Sequence, residues 1–209
     1  MELKGLYAVT PDLADTAELL RRVEQALLGG VRLVQCRNKP AGAALRREQS
    51  MALLGLCRQH GVPLVINDDL QLALDIGADG AHLGREDGDL AAARAALGPG
   101  KLLGVSCYDD MERAREAKRI GANYIAFGSF FASPTKPGAV RAPLTLLTKA
   151  REEFGLPVCA IGGITLQNAP QMIAAGADLL AVITDLFEAP DIQARAASYT
   201  QLFSERVPS

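Results

Sequence analysis

The 209-residue chain lacks the marks of several special classes. Its four cysteines, Cys36, Cys57, Cys107 and Cys159, are far apart and form no CxxC pair. That argues against a zinc ribbon or a disulfide framework and points to free thiols in a reducing cytoplasm. Charges interrupt every apolar stretch, so no segment is expected to span a membrane. Residues 1–9 hold no basic region followed by a long apolar one, so no signal peptide is expected. A formal net charge of −2 argues against a dedicated nucleic-acid binder. No Pro/Ser-rich linker, charge run or low-complexity segment divides the chain. A single domain over residues 1–209 is therefore expected, large enough to bury about 70% of its unfolded surface without crosslinks.

Short apolar runs alternating with amphipathic segments are what the chain does have. Strands are expected at 3–9, 31–36, 63–67, 80–83, 102–106, 123–127, 157–161 and 179–183. Between them lie helical patterns, such as 16–28 with apolar positions at 19, 20, 23, 26 and 27. Asp109 or Asp110 is placed to cap a helix over 111–120, whose Arg113, Arg115 and Lys118 read as a solvated face. A weak echo recurs at Gly29-Gly30-Val31, Gly77-Ala78-Asp79, Gly121-Ala122-Asn123 and Gly176-Ala177-Asp178. A glycine after a helix takes the left-handed turn that stops it. One such stop every two β/α units suggests a (β/α)₈ TIM barrel of four similar quarters, with a doubly wound open sheet as the alternative.

In such a barrel the chemistry sits at the C-terminal strand ends, and the polar residues of this chain collect there. Strand two ends Gln35-Cys36-Arg37-Asn38-Lys39, and alternation puts Gln35, Arg37 and Lys39 on one side. Strand three ends Asn67-Asp68-Asp69, and Asp87 follows strand four. Ser106 ends strand five. After strand six come Ser133, Thr135 and Lys136 between Pro134 and Pro137. Hydroxyls, backbone N–H groups and lysine suit phosphate oxygens. Asp68 and Asp87, on neighbouring strand ends, suit a hard divalent cation such as Mg²⁺, which takes one or two carboxylates. Both could equally cap the helices that follow. Gly162-Gly163 and Ile183-Thr184 follow strands seven and eight, where many barrels hold a phosphate. His60 reads as a helix-end residue. His82 reads either as pocket lining or as a satisfied core histidine. Cys36 and Cys107 lack a base partner, and Arg21-Arg22 and Arg46-Arg47 read as solvated faces.

Eight strings, in order and over nearly the whole chain, carry a resemblance: Gly5-Leu6-Tyr7, Gln35-Cys36-Arg37-Asn38-Lys39, Ile66-Asn67-Asp68, His82-Leu83-Gly84, Glu86-Asp87, Gly104-Val105-Ser106, Ser133-Pro134-Thr135-Lys136 and Ile161-Gly162-Gly163-Ile164. The chain resembles the thiamine-phosphate synthases, (β/α)₈ barrels that join a hydroxymethylpyrimidine diphosphate to a thiazole phosphate. The resemblance implies that Asp68 and Asp87 hold Mg²⁺ and that Arg37, Lys39, Asn67 and Lys136 bind the diphosphate. It implies that Gln35 and Ser106 contact the pyrimidine. Ser133 and Thr135, with the backbone of Gly163, Ile183 and Thr184, would hold the thiazole phosphate. Arg37, Ser106 and Lys136 are the implied catalytic groups. Asn38 stands where the family usually carries an acidic residue, and Asp69 and Arg85 also depart from the pattern. A thiazole tautomerase on the same barrel is one alternative, though Tyr108 stands where that group has histidine; a non-catalytic binding barrel is another. The expected partners are two small molecules, neither nucleic acid nor membrane, with a homo-oligomer left open.

Overall fold

The computed structural model describes residues 2–132 and 141–204. Eight strands alternate with helices in chain order. The first half runs β1 Gly5–Val9, α1 Thr16–Leu28, β2 Leu33–Cys36, α2 Ala43–Gln59, β3 Leu64–Asn67, α3 Leu70–Asp75, β4 Gly80–Leu83 and α4 Leu90–Leu97. The second runs β5 Leu102–Tyr108, α5 Met111–Arg119, β6 Tyr124–Phe127, α6 Thr145–Phe154, β7 Val158–Ile161, α7 Ala169–Ala175, β8 Leu179–Val182, α8 Thr184–Phe187 and α9 Ile192–Ser204. Every strand pairs in parallel with its neighbours, and β8 closes on β1 through pairs from Gly5–Leu179 to Ala8–Val182. The expected (β/α)₈ barrel is what forms, in place of the open-sheet alternative. Among the described residues no helix is long and apolar enough to cross a membrane.

Alternation along the strands builds two apolar layers. Leu6, Ala8, Val34, Ile66 and Val105 face outward and meet helix stripes such as Leu19, Val23, Ala26 and Leu27 of α1. Tyr7, Leu33, Val65, Tyr124, Cys159 and Leu179 point inward and fill the barrel. Several of the helices start at aspartates. Asp15 accepts from Ala17 and Glu18 N–H, and Asp110 accepts from Glu112 and Arg113 N–H. Such a cap contributes about 1 kcal/mol.

The glycine echo needs one correction. Gly29 has φ −80°, and the left-handed turn falls on Gly30 at φ +95°. Shifted by one, Gly30-Val31-Arg32 aligns with the other three triplets. Left-handed glycines also follow α2, α4 and α6, so the stop recurs after each helix from α1 to α7 and does not by itself mark quarters. The third residue of the triplet is what differs. Asp79, Asn123 and Asp178 each clasp one residue near the start of the preceding strand. Their N–H groups donate to the carbonyls of Leu64, Leu103 and Val158 at 3.0, 2.8 and 2.8 Å. Their side-chain oxygens accept the N–H of the same three residues at 2.9, 2.8 and 3.0 Å. Arg32 N–H makes the equivalent bond to Leu6 at 2.9 Å, but its side chain cannot accept. The three clasps all lie at the N-terminal end of the barrel.

The seam between β8 and β1 is covered by α9, which packs on α1 at a glycine. A Cβ on Gly29 would overlap Ala196, and Thr200 Oγ1 donates toward the carbonyls of Gly29 and Gly30 at 3.1 and 3.3 Å.

Candidate active site

A cavity of about 1000 Å³ opens at the C-terminal strand ends. Its lining brings together Gln35, Arg37, Lys39, Asn67, Asp68, Asp87, Ser106, Gly163, Ile183 and Thr184. Ser133, Thr135 and Lys136 lie outside the described residues. The chain leading to them is anchored on β7 and the turn after it. Phe130 N–H donates to Ile161 at 3.2 Å and Phe131 N–H to Gly162 at 3.0 Å. Gly162 and Gly163 are left-handed, at φ +100° and +64°, and a Cβ on either would overlap the segment 129–132. Glycine is required there by both backbone conformation and space.

The cations have fixed partners. Arg37 Nη1 donates to Asp12 Oδ1 at 2.9 Å, and its N–H donates to Thr10 Oγ1 at 2.8 Å. Lys39 N–H also donates to Asp12, while its Nζ lies 3.2 Å from Asp68 Oδ2. Asn38 is turned out of the cavity and buried. Its amide donates to the Leu13 carbonyl at 2.8 Å and to Gln49 Oε1 at 2.9 Å, which pins the β1–α1 loop to α2. The loss of an acidic residue there therefore leaves the Lys39–Asp68 pair intact.

Neither Asp68 nor Asp87 is a helix cap. Asp69 caps α3 by accepting Leu72 N–H at 2.9 Å, and Asp89 caps α4 by accepting Ala92 N–H at 2.7 Å. This gives the departing Asp69 its role and leaves Asp68 directed at the cavity, on a left-handed backbone at φ +59°. Asp87 Oδ2 accepts Gly84 N–H at 2.6 Å. The two carboxyls interact. Burial works to raise the pKa of Asp68, but its hydrogen bonds to Asp87, Lys39 and Asn67 and the Lys39 charge outweigh it and hold the group below the ordinary range. Burial and the neighbouring Asp68 push Asp87 up, against the Gly84 N–H bond. Of the two carboxyls, Asp68 is the stronger acid. Among the described residues no group of three or more His, Cys, Asp or Glu side chains could hold a metal ion. A two-carboxylate donor set of this kind fits Mg²⁺, which completes its shell with water and ligand oxygens.

The cavity floor is polar. Gln35 Nε2, the hydroxyls of Tyr7 and Tyr124, His82 and Ser106 Oγ form one line of hydrogen bonds between 2.6 and 2.9 Å. His82 is thus both things the sequence allowed, a cavity-lining residue and a satisfied interior one. Cys36 and Cys107 are buried, with burial raising both thiols, Cys107 to about 12, so neither is a nucleophile.

Several residues differ from their sequence reading. Arg113 is not on a solvated face. Its Nε donates to the Ser106 carbonyl and its Nη2 to the Gly84 carbonyl, both at 2.7 Å, which ties the ends of β4 and β5 together. Arg22 and Arg46 are half-buried, and Arg22 donates to the Phe187 carbonyl at 3.3 Å. Thr10 and Asp12, which orient Arg37, lie in a loop and carry no periodic signal in the sequence. Asp185 is a further case. It accepts from Arg195 Nη1 and the Tyr199 hydroxyl, both at 2.7 Å, and so fixes α8 against α9 beside the cavity.

A closed barrel with paired charges and a polar floor at its C-terminal mouth defines the class, the (β/α)₈-barrel enzymes acting on charged small molecules. Comparison with known proteins narrows it. The profile of the thiamine monophosphate synthase family matches residues 6–186. A thiamine-phosphate synthase of Aromatoleum aromaticum is 57% identical over 201 residues, 96% of this chain and 97% of its own. Another, from Azoarcus sp., is 57% identical over 202 residues, 97% of this chain and 98% of its own. The solved thiamine phosphate pyrophosphorylase from Pyrococcus furiosus superposes with a TM-score of 0.87 at 30% identity, covering 99% of this chain and 98% of that one. The chain belongs to the thiamine monophosphate synthase family, and it is a transferase of thiamine biosynthesis.

Proposed function

We propose that the chain joins hydroxymethylpyrimidine diphosphate to the thiazole phosphate, releasing diphosphate, by a dissociative substitution assisted by Mg²⁺. The observation that carries this reading is the Lys39–Asp68–Asp87 cluster above a polar floor that ends at Gln35 and Ser106. Held by Asp68 and Asp87, Mg²⁺ would supply a hard Lewis acid to the diphosphate oxygens. Lys39, Arg37, Asn67 and Lys136 bind the same diphosphate. Gln35 and Ser106 hold the pyrimidine. Ser133, Thr135 and the backbone of Gly163, Ile183 and Thr184 hold the thiazole phosphate. The C–O bond breaks with its electron pair leaving on the diphosphate, where Arg37, Lys39 and Lys136 offset the developing charge. The pyrimidine ring stabilises the resulting cation, and the thiazole nitrogen then donates its lone pair to that carbon. No protein nucleophile is required.

The test is direct. The protein incubated with both substrates and Mg²⁺ is expected to form thiamine phosphate and diphosphate in equal amounts, and EDTA is expected to stop it. Product formation unaffected by EDTA would remove Mg²⁺ from the reading; no product at all would remove the reaction. A thiazole tautomerase is disfavoured by Tyr108. Its hydroxyl accepts the Arg85 N–H at 3.3 Å, and the Arg85 guanidinium lies 5.2 Å from its ring centre.

A further inference from the structure

The line of hydrogen bonds in the barrel floor has a direction. It begins at Gln35, whose amide nitrogen faces the Tyr7 hydroxyl at 2.6 Å and can only donate. Tyr7 meets Tyr124 at 2.7 Å, Tyr124 meets His82 Nδ1 at 2.9 Å, and His82 Nε2 meets Ser106 Oγ at 2.8 Å. Both tyrosines are fully enclosed, and burial raises both hydroxyls far above their ordinary range, so each keeps its one proton. Because Tyr7 accepts from Gln35, its proton goes to Tyr124. Because Tyr124 accepts from Tyr7, its proton goes to His82 Nδ1. Nδ1 is then an acceptor, and the imidazole proton sits on Nε2, where it is donated to Ser106. Ser106 Oγ accepts from inside the barrel and has its own proton left for the cavity. At the far end the Gln35 amide keeps its oxygen as an acceptor for the cavity it lines.

We propose that His82 is a positioning residue, held as the neutral Nε2–H tautomer by the Tyr7–Tyr124 pair, and that it fixes Ser106 as a donor and Gln35 as an acceptor toward the pyrimidine substrate. This rests on the reading that these two residues contact the pyrimidine. The two contacts lie on different strands, yet they are not set independently, since reversing one end reverses every bond between them. The floor is then complementary to a ring with an acceptor at one position and a donor at another. A ring with two donors, or with the pattern reversed, leaves a buried polar group unpaired, which is how a polar site discriminates strongly. His82 also stacks on Tyr124, with ring centres 5.5 Å apart and planes at 29°, which keeps Nε2 aimed at Ser106.

The chain has only two histidines, so a ¹⁵N-histidine spectrum of the ligand-free protein resolves the ring directly. The Nε2–H tautomer is expected for His82 in the wild type, and a mixture of both tautomers in Tyr124→Phe. Nδ1–H in the wild type would overturn the proposal, as would an unchanged tautomer in the variant. In steady-state kinetics, Tyr124→Phe is expected to raise KM for the pyrimidine diphosphate about tenfold, the size of one misdirected hydrogen bond. KM for the thiazole phosphate is expected to stay unchanged, and equal rises in both would mean a merely structural role. Tyr7→Phe interrupts the same line one step away and replaces Tyr124→Phe if that variant fails to fold. If the wild type makes no thiamine phosphate, the functional reading fails, while the tautomer measurement, made without substrate, still decides the direction of the line.

Discussion

The two ends of the barrel carry cavities of similar size, about 1050 Å³ at the N-terminal end and about 1000 Å³ at the C-terminal end, and both are lined by charges. At the N-terminal end several of those charges are bonded to backbone, although Arg151 pairs with Asp178 at 3.6 Å. Arg58 donates to the Gly77 carbonyl at 3.0 Å, and so does Lys101 at 3.1 Å. Asp79 and Asp178 hold strand N–H groups. At the C-terminal end Lys39, Asp68 and Asp87 face one another and the cavity, and their interactions leave room for a ligand to substitute. Cavity volume does not separate the two ends. What the charged atoms are bonded to does, because a carboxylate already accepting a strand N–H is part of the sheet and one paired to a lysine is exchangeable.

That contrast can be broken by substitution. Asp68→Ala and, on the proposed role, Lys136→Ala are expected to lower turnover on the order of 10²–10³ while thermal unfolding stays near that of the wild type. Asp68→Gly, measured the same way, is expected to lose turnover without losing stability, because glycine accepts the left-handed backbone at φ +59°. Asp178→Ala should do the reverse. It leaves the buried Val158 N–H unpaired and is expected to cost about 1–3 kcal/mol in urea unfolding, with kcat unchanged. Gly163→Ala tests the border between the two classes. Its left-handed turn and the nearby Ala132 carbonyl predict a loss of about 1–2 kcal/mol together with a raised KM for the thiazole phosphate. The smallest effect concerns the thiols. With all four cysteines buried and Cys107 raised to about 12, native protein at neutral pH should react negligibly with a thiol reagent, and unfolded protein should react at all four positions. Rapid labelling of the native state would show an exposure the fold does not provide.

The strands and their order were legible because short apolar runs bounded by glycine and aspartate have a period that helices do not share. Each expected strand forms, shifted by at most a few residues at its ends. The cavity lining was legible because alternation and strand-end position place Gln35, Arg37, Asn67 and Asp87 around one mouth. What was not legible depends on contacts between distant loops. Arg113 has the same sequence setting as the solvated Arg115, and only the proximity of the Ser106 and Gly84 carbonyls separates them. The choice between Asp68 and Asp69 as cap is decided by backbone dihedrals, which adjacent identical side chains do not reveal. Tyr7 and Tyr124 read as ordinary core residues of apolar strands, and their hydroxyls acquire a role only when the barrel closes and brings them within 2.7 Å.

The helix that covers the seam has a consequence for the order of events during synthesis. Of the barrel strands, β1 leaves the ribosome ahead of the others and finds one neighbour, β2, soon afterwards. Its other neighbour is β8, and the cover on that joint is α9, anchored at Gly29 by Ala196 and Thr200. The nascent barrel therefore carries an open edge on β1 until β8 emerges, and that joint gains its cover only when α9 follows. During translation, this is the interval in which the chain is most exposed to pairing with another copy of itself.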